Sequence, residues 1–130
     1  MRDLKYLFAY TVPVSVYISL ISTGIWTYSA VFYVFLIIPL LDLILGEEKD
    51  NLPDESVASI QNKWIFDVML YLNIPIVFGL LFVAFSSIQT NDFNTLETIG
   101  IAISTGVLLA TNGINVAHEL GHRSSYLARF

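Results

Sequence analysis

Four long stretches of the chain carry almost no charge, and short charged segments separate them. A helix rises 1.5 Å per residue, so about 20 residues cross a hydrocarbon core that is about 30 Å thick. The pattern therefore predicts an all-α fold, a polytopic bundle of four transmembrane helices with a tight turn at Gly24 and Ile25 between the first two. These stretches cover about residues 6–23, 26–45, 64–85 and 98–117.

The composition also indicates a membrane environment. Of the 130 residues, 55% are hydrophobic and 13% are charged, which is too little charge for the surface of a water-facing domain. The formal net charge of −5 and the lack of clustered Lys and Arg exclude nucleic-acid binding, because that role needs a basic surface. The chain has no cysteine, so a metal site in it can use only histidine, carboxylate or water ligands.

All six basic residues fall on one side of the predicted bundle. Four crossings put three segments on the same side of the membrane, namely residues 1–5, 46–63 and 118–130. The connections on the other side, residues 24–25 and 86–97, contain no Lys or Arg. Because basic residues mark the cytoplasmic side of a membrane protein, we expect both termini of the chain in the cytoplasm. The basic residues are Arg2, Lys5, Lys49, Lys63, Arg123 and Arg129.

The fourth stretch differs from the other three in its many small residues. Small side chains let neighbouring helices approach closely, so we expect this helix to lie inside the bundle. The small residues are Gly100, Ala102, Ser104, Thr105, Gly106, Ala110, Gly113 and Ala117.

The two histidines of the chain lie at the end of this fourth stretch. His118 and His122 are four residues apart, so on a helix both imidazoles share one face and can bind one metal centre. Asn115 and Thr111 continue that face when the residues are counted along an α-helix, and hydrogen bonds from such residues orient metal-bound imidazoles. Glu119 lies about 100° around the helix from His118. It can be a base beside the metal, a ligand or a solvated charge.

Two further interpretations stay open. Asp42 stands among apolar residues near the end of the second stretch, where it either supports a metal-bound histidine or extends to the membrane surface as an ordinary acid. The histidine pair itself can be an interfacial helix end, with Arg123 completing a favourable charge at the helix carboxyl terminus.

The segment 118–122 fits two classes of enzyme. His-Glu-x-x-His is the signature of zinc metalloproteases, in which two imidazoles hold the zinc and the glutamate polarises a bound water. A histidine pair of the same spacing also occurs in histidine-rich di-iron sites that activate O₂. Imidazole suits zinc and iron equally, so the ligand type does not decide between a membrane-embedded protease and an oxygenase.

The residues around the pair resemble a known family. Residues 115–123, Asn-Val-Ala-His-Glu-Leu-Gly-His-Arg, are similar to the first histidine box of the membrane-bound alkane 1-monooxygenases, which carry Lys or Arg after the second histidine. Residues 39–47, with Pro39, Asp42 and the pair Gly46-Glu47, resemble the stretch that ends the second helix of those enzymes. The resemblance extends over essentially the whole chain.

The resemblance implies a six-span fold of the fatty-acid-desaturase-like superfamily in the bacterial inner membrane, with two non-haem iron ions on the cytoplasmic side. It implies hydroxylation of the terminal carbon of an alkane, which enters from the membrane lipid, with O₂ and electrons from rubredoxin. His118 and His122 are then iron ligands, and Asp42 and Asn115 are supporting residues. Relatives that act on xylenes or fatty acids remain open.

The later histidine boxes of that family have no counterpart in residues 1–130. We therefore expect this chain to be the N-terminal part of a single di-iron oxygenase domain, truncated at its C-terminus and inactive by itself.

Overall fold

The computed structural model describes residues 10–45, 64–114 and 117–118. Every regular element within these residues is helical, which confirms the predicted all-α class. Two π turns and one 3₁₀ turn interrupt the α-helices. The α-helices are α1 (Thr11–Ile21), α2 (Ser29–Phe32), α3 (Ile38–Leu45), α4 (Trp64–Thr90) and α5 (Thr95–Leu108). The 3₁₀ turn is Gly24–Tyr28, and the π turns are Tyr33–Ile37 and Leu109–Ile114.

Three helical segments are long and apolar enough to cross a membrane, namely Gly24–Ile44, Val68–Thr90 and Thr95–Ile114. They indicate an integral membrane protein. The first apolar stretch forms α1, whose 11 residues reach only about 16 Å. The predicted start of that stretch, at residue 6, lies outside the described residues, so the fourth crossing stays a prediction.

The first hairpin turns where the sequence predicts it. Ser22 and Thr23 are extended, and Gly24 has a φ of 62°, a left-handed conformation that only glycine adopts without strain. Across the hairpin, the backbone N–H of Ala30 donates to Oγ of Ser19 over 3.0 Å. This bond pairs α1 with α2 below the turn.

Helix α4 continues past the predicted end at residue 85 to Thr90. Polar side chains of its last turns bond the helix itself: Thr90 Oγ1 donates to the Ser86 carbonyl, and Asn91 Nδ2 donates to the Ser87 carbonyl. The Asn91 backbone N–H also donates to the Ser87 carbonyl over 3.1 Å, so polar groups bond the last turn of the helix beyond its apolar part.

Helix α5 starts at Thr95, before the predicted start at residue 98. Asn94 and Glu97 form a capping box, in which Asn94 Oδ1 accepts from the Glu97 N–H over 3.0 Å and Glu97 Oε2 accepts from the Asn94 N–H over 2.9 Å. The loop between α4 and α5 therefore shrinks to residues 91–94.

The core of the bundle lies between α1, α4 and α5. Its fully buried apolar side chains are Val16, Leu20, Ala30, Ile101 and Leu108. Large apolar side chains also cover the outside, where lipid replaces water as the solvent; Phe35, Leu43 and Phe82 are examples.

The prediction that small residues place α5 inside the bundle holds for one face of the helix. Gly100 is buried against Thr27, and Ser104 Oγ donates to the Thr27 carbonyl over 2.8 Å. Ala102 and Gly106, on another face of the helix, are exposed. Close packing of α5 within the described bundle therefore uses only part of its small residues.

Candidate metal centre

The bundle has two distinct ends. At the capped end, formed by residues 22–28 and 87–97, the first hairpin meets the loop before α5: Glu97 Oε1 accepts from the Gly24 N–H over 2.6 Å, and the Tyr28 hydroxyl donates to the Leu96 carbonyl over 2.8 Å. Since the helices alternate in direction, the C-terminal ends of α3 and α5 lie at the opposite end, with the start of α4. We call this the histidine end.

Two predicted site residues are described at the histidine end. His118 is exposed, and Asp42 is exposed on α3. Among the described residues, no three side chains of His, Cys, Asp or Glu come together as a metal site. His122, Asn115 and Glu119 lie outside the described residues.

A buried pair of amides joins α4 to the helical segment that leads to His118. Asn112 Nδ2 donates to Asn73 Oδ1 over 2.8 Å, and Asn73 Nδ2 donates to the Met69 carbonyl over 3.1 Å. Asn112 is 6% exposed and Asn73 is 7% exposed, so both amides are shielded from solvent. Within the described part of the chain, every buried side-chain nitrogen and oxygen has a hydrogen-bond partner. The amide pair is thus a complete polar contact inside an apolar bundle.

Asn112 belongs to the π turn Leu109–Ile114. The neighbouring Thr111 hydroxyl contacts both Asn112 Oδ1, over 3.0 Å, and the Val107 carbonyl, over 2.7 Å. The side chain of Asn112 is therefore held on two sides, by α4 and by its own helix.

The π turn changes the face on which residues lie. Because a π turn takes up one residue more than an α turn, residues beyond it are rotated by about 100° relative to an uninterrupted α-helix. The α-helical count that aligns Thr111 with His118 does not apply across Leu109–Ile114. The buried polar residue of this turn is Asn112, whereas Thr111 is half-buried.

Sequence reasoning therefore missed Asn112 and Asn73. Each is an uncharged polar residue inside an apolar stretch, which is a signal for a polar contact between membrane helices. The signal does not identify the partner, and the π turn leaves no mark in the spacing.

The donor chemistry at the histidine end suits a transition metal. Imidazole is a ligand for both iron and zinc, and a carboxylate at the same end can bind the metal or bond a coordinating imidazole. His118 and Asp42 supply these two groups at one end of the bundle. One imidazole and one carboxylate do not fill the coordination sphere of a metal ion, so the described residues do not make a metal site by themselves.

The chain is similar to several curated proteins named alkane 1-monooxygenase. It is 31% identical over 96 residues to the protein of Pseudomonas putida and 30% identical over 96 residues to alkane 1-monooxygenase 1 of Alcanivorax borkumensis. It is 33% identical over 95 residues to the protein of Ectopseudomonas oleovorans. Each match covers 72% of this chain and 23% of the relative, so the aligned part spans about a quarter of the relatives' length. No protein-family model matches the chain.

Proposed function

We propose that this chain, whose similarity to the alkane 1-monooxygenases supports its membership of that family, is part of a membrane enzyme that hydroxylates the terminal carbon of alkanes. The observation that carries the proposal is the agreement between those relatives and the histidine pair at the end of a membrane helix. The apolar helices support the same activity, because an alkane dissolves in the bilayer and reaches a membrane-embedded site through it.

In this proposal His118 and His122 bind iron. Asp42 and Asn115 are the residues that we expect to support them through hydrogen bonds. Activation of O₂ for attack on an unreactive C–H bond is the chemistry that a bound pair of non-haem iron ions supplies. Two imidazoles do not hold two metal ions, so the centre needs further ligands from outside residues 1–130. The 130 residues alone are therefore not expected to hydroxylate alkanes.

The distribution of charge supports an orientation for the enzyme. All the Lys and Arg residues fall outside the connections 24–25 and 86–97, and basic residues favour the cytoplasmic side. We place the histidine end at the cytoplasmic face of a bacterial inner membrane. In that orientation a soluble electron donor, which we propose to be rubredoxin, reaches the iron from the cytoplasm while the substrate arrives from the lipid.

The competing activity is that of a zinc metalloprotease. It rests on the segment His118-Glu119-x-x-His122, which matches the zincin signature. The two activities differ in their need for O₂ and in the role of Glu119. A protease works without O₂ and requires the glutamate as its base, whereas the hydroxylase consumes O₂ with each alkane that it oxidises.

The test uses the full-length natural protein in liposomes with an electron-donor system. We expect alkane-dependent O₂ consumption and a terminal alcohol as the product. His118→Ala should lower turnover by about 100-fold or more, beyond the 10–100-fold that loss of a residue supporting a metal ligand costs. Asp92→Asn is the matched control, because this exposed side chain lies at the capped end and should leave turnover unchanged.

Peptide hydrolysis under anaerobic conditions that disappears in Glu119→Gln, without alkane oxidation, would replace the proposal by the protease.

A further inference from the structure

The last described turn before His118 is a π turn, Leu109–Ile114. π turns are rare and occur mostly as single turns within α-helices, frequently at functional sites. The turn that surrounds Asn112 is also where α5 is bonded to α4 through the amide of Asn73. An unusual backbone geometry and the buried polar contact thus coincide one to two turns before the histidine pair.

We infer that Asn112 and Asn73 are positioning residues for the proposed metal centre: their amide contact holds the π turn Leu109–Ile114, and the π turn sets the direction in which the chain continues toward His118. The inference rests on the proposed function only in taking the histidines as metal ligands. It assigns a role to two residues that touch neither the metal nor the substrate.

An α-helical backbone in place of the π turn would disturb the amide contact. If the π turn relaxed to an α-helix, the helix beyond it would rotate by about 100°. Asn112 would also move within the turn, and its bond to Asn73 Oδ1 would be strained or lost. An unpaired amide in an apolar bundle is strongly unfavourable, so the 2.8 Å contact favours the π form over the α form.

The hydrogen bonds of the two amides restrict the positions of both side chains. Asn112 donates to Asn73 and is contacted on its oxygen by Thr111, while Asn73 uses its own N–H on the Met69 carbonyl. Met69 belongs to the same helix as Asn73, so the acceptor oxygen of Asn73 is aimed from a fixed point on α4. The orientation of the π turn is therefore fixed relative to α4.

A purely stabilising contact between helices would have a different effect, and the chain offers a matched example. Ser104 Oγ donates to the Thr27 carbonyl over 2.8 Å, from a fully buried position on the same helix. This bond lies in regular α-helix toward the capped end. Loss of either contact should weaken the bundle, but only loss of the amide contact should alter the metal centre.

The experiment measures metal retention by the full-length protein, loaded with iron and dialysed against a weak chelator. Asn112→Leu and Asn73→Leu should each retain iron about 10-fold less tightly than the wild type, in the range found for residues that orient metal ligands. Ser104→Ala should retain iron within about 2-fold of the wild type, as expected for a change remote from the ligands. The Mössbauer spectrum of any remaining iron should change in the two Asn variants and not in Ser104→Ala. Thermal unfolding of the metal-free proteins reports the stability of each variant separately.

Thr111→Val is the milder variant if either Leu variant does not fold. It removes only the contact to Asn112 Oδ1 and the bond to the Val107 carbonyl, and it should weaken iron retention in the same direction by a smaller factor. The inference is overturned if the folded Asn variants or Thr111→Val hold iron as the wild type does. It is equally overturned if Ser104→Ala loses iron as readily as they do.

These outcomes are separate from those of the proposed function. A wild-type protein that holds zinc and no iron contradicts the hydroxylase, and the same comparison of variants with zinc then decides the positioning role. A wild-type protein that holds neither metal overturns both.

Discussion

The two ends of the described bundle differ in the hydrogen bonds that their polar groups make. At the capped end, Glu97 accepts from two backbone N–H groups, and the Ser87 hydroxyl donates to the Leu20 carbonyl over 2.8 Å. These bonds join the hairpin, α4 and α5 through backbone atoms. At the histidine end the contacts between elements in the described residues include the amide pair and the bond from the Tyr10 hydroxyl to the Met69 carbonyl, and the candidate ligand groups are exposed.

The difference suggests separate places for stability and for the proposed chemistry. Polar groups that bond the backbone are used up in holding the fold, so they are not available to a ligand. The exposed His118 and Asp42 lie at the other end of the described bundle. If the proposed metal centre lies at the histidine end, we expect substitutions at the capped end to change stability without changing metal binding.

The largest expected difference between the two ends is in their accessibility from outside the cytoplasm. Residues 1–130 contain no cysteine, so single cysteines can be placed in a cysteine-free version of the full-length protein. Asp92→Cys at the capped end should react with a membrane-impermeant maleimide in intact spheroplasts. Asp50→Cys, in the predicted cytoplasmic connection, should react only after lysis. The reverse pattern would place the histidine end outside.

The next effect concerns the close approach of α5 to the hairpin. A Cβ on Gly100 would lie 2.3 Å from Thr27 Oγ1 and 2.9 Å from Thr27 Cβ, so Gly100→Ala should destabilise the protein by about 1–3 kcal/mol through overpacking. A Cβ on Gly106 meets nothing within 4 Å, and Gly106→Ala should be neutral or stabilise by about 0.5–1 kcal/mol. Thermal unfolding in detergent measures both. Equal destabilisation by the two variants would contradict the packing at Thr27.

A smaller effect is expected from the cap of α5. Asn94→Ala removes the acceptor for the Glu97 N–H and should destabilise the protein by about 1 kcal/mol, the usual contribution of an N-cap side chain. Asp92→Ala, two residues earlier and exposed, is the control and should be within about 0.5 kcal/mol of the wild type. Iron retention should be unchanged in both variants. Loss of iron in Asn94→Ala would show that the two ends are not independent.

Much of this fold could be predicted from the arrangement of apolar residues. Long uncharged stretches predict helices in the right order, and the spacing of Gly24 between two such stretches predicts the first hairpin. The ends of α4 and α5 differ from the prediction because Thr90 and Asn94 bond backbone groups there, and hydropathy does not measure hydrogen bonds. The pattern Asn94-x-x-Glu97 was a readable signal for the start of α5.

Less of the candidate site could be predicted from the sequence. Four-residue spacing identifies His118 and His122 as a pair, because local helical geometry is enough for that. The partnership of Asn112 with Asn73 joins residues 39 positions apart and depends on how two helices pack. The π turn Leu109–Ile114 that contains Asn112 was not predicted from the sequence either. Contacts that arise from packing between distant segments had to come from the structure.

The most direct test of the account is the metal content of the purified full-length protein, counted as iron and zinc per chain. The account predicts about two iron ions and little zinc, as the proposed di-iron hydroxylase requires. About one zinc ion per chain, with no iron, would contradict it and would make Glu119 the candidate base of a membrane protease.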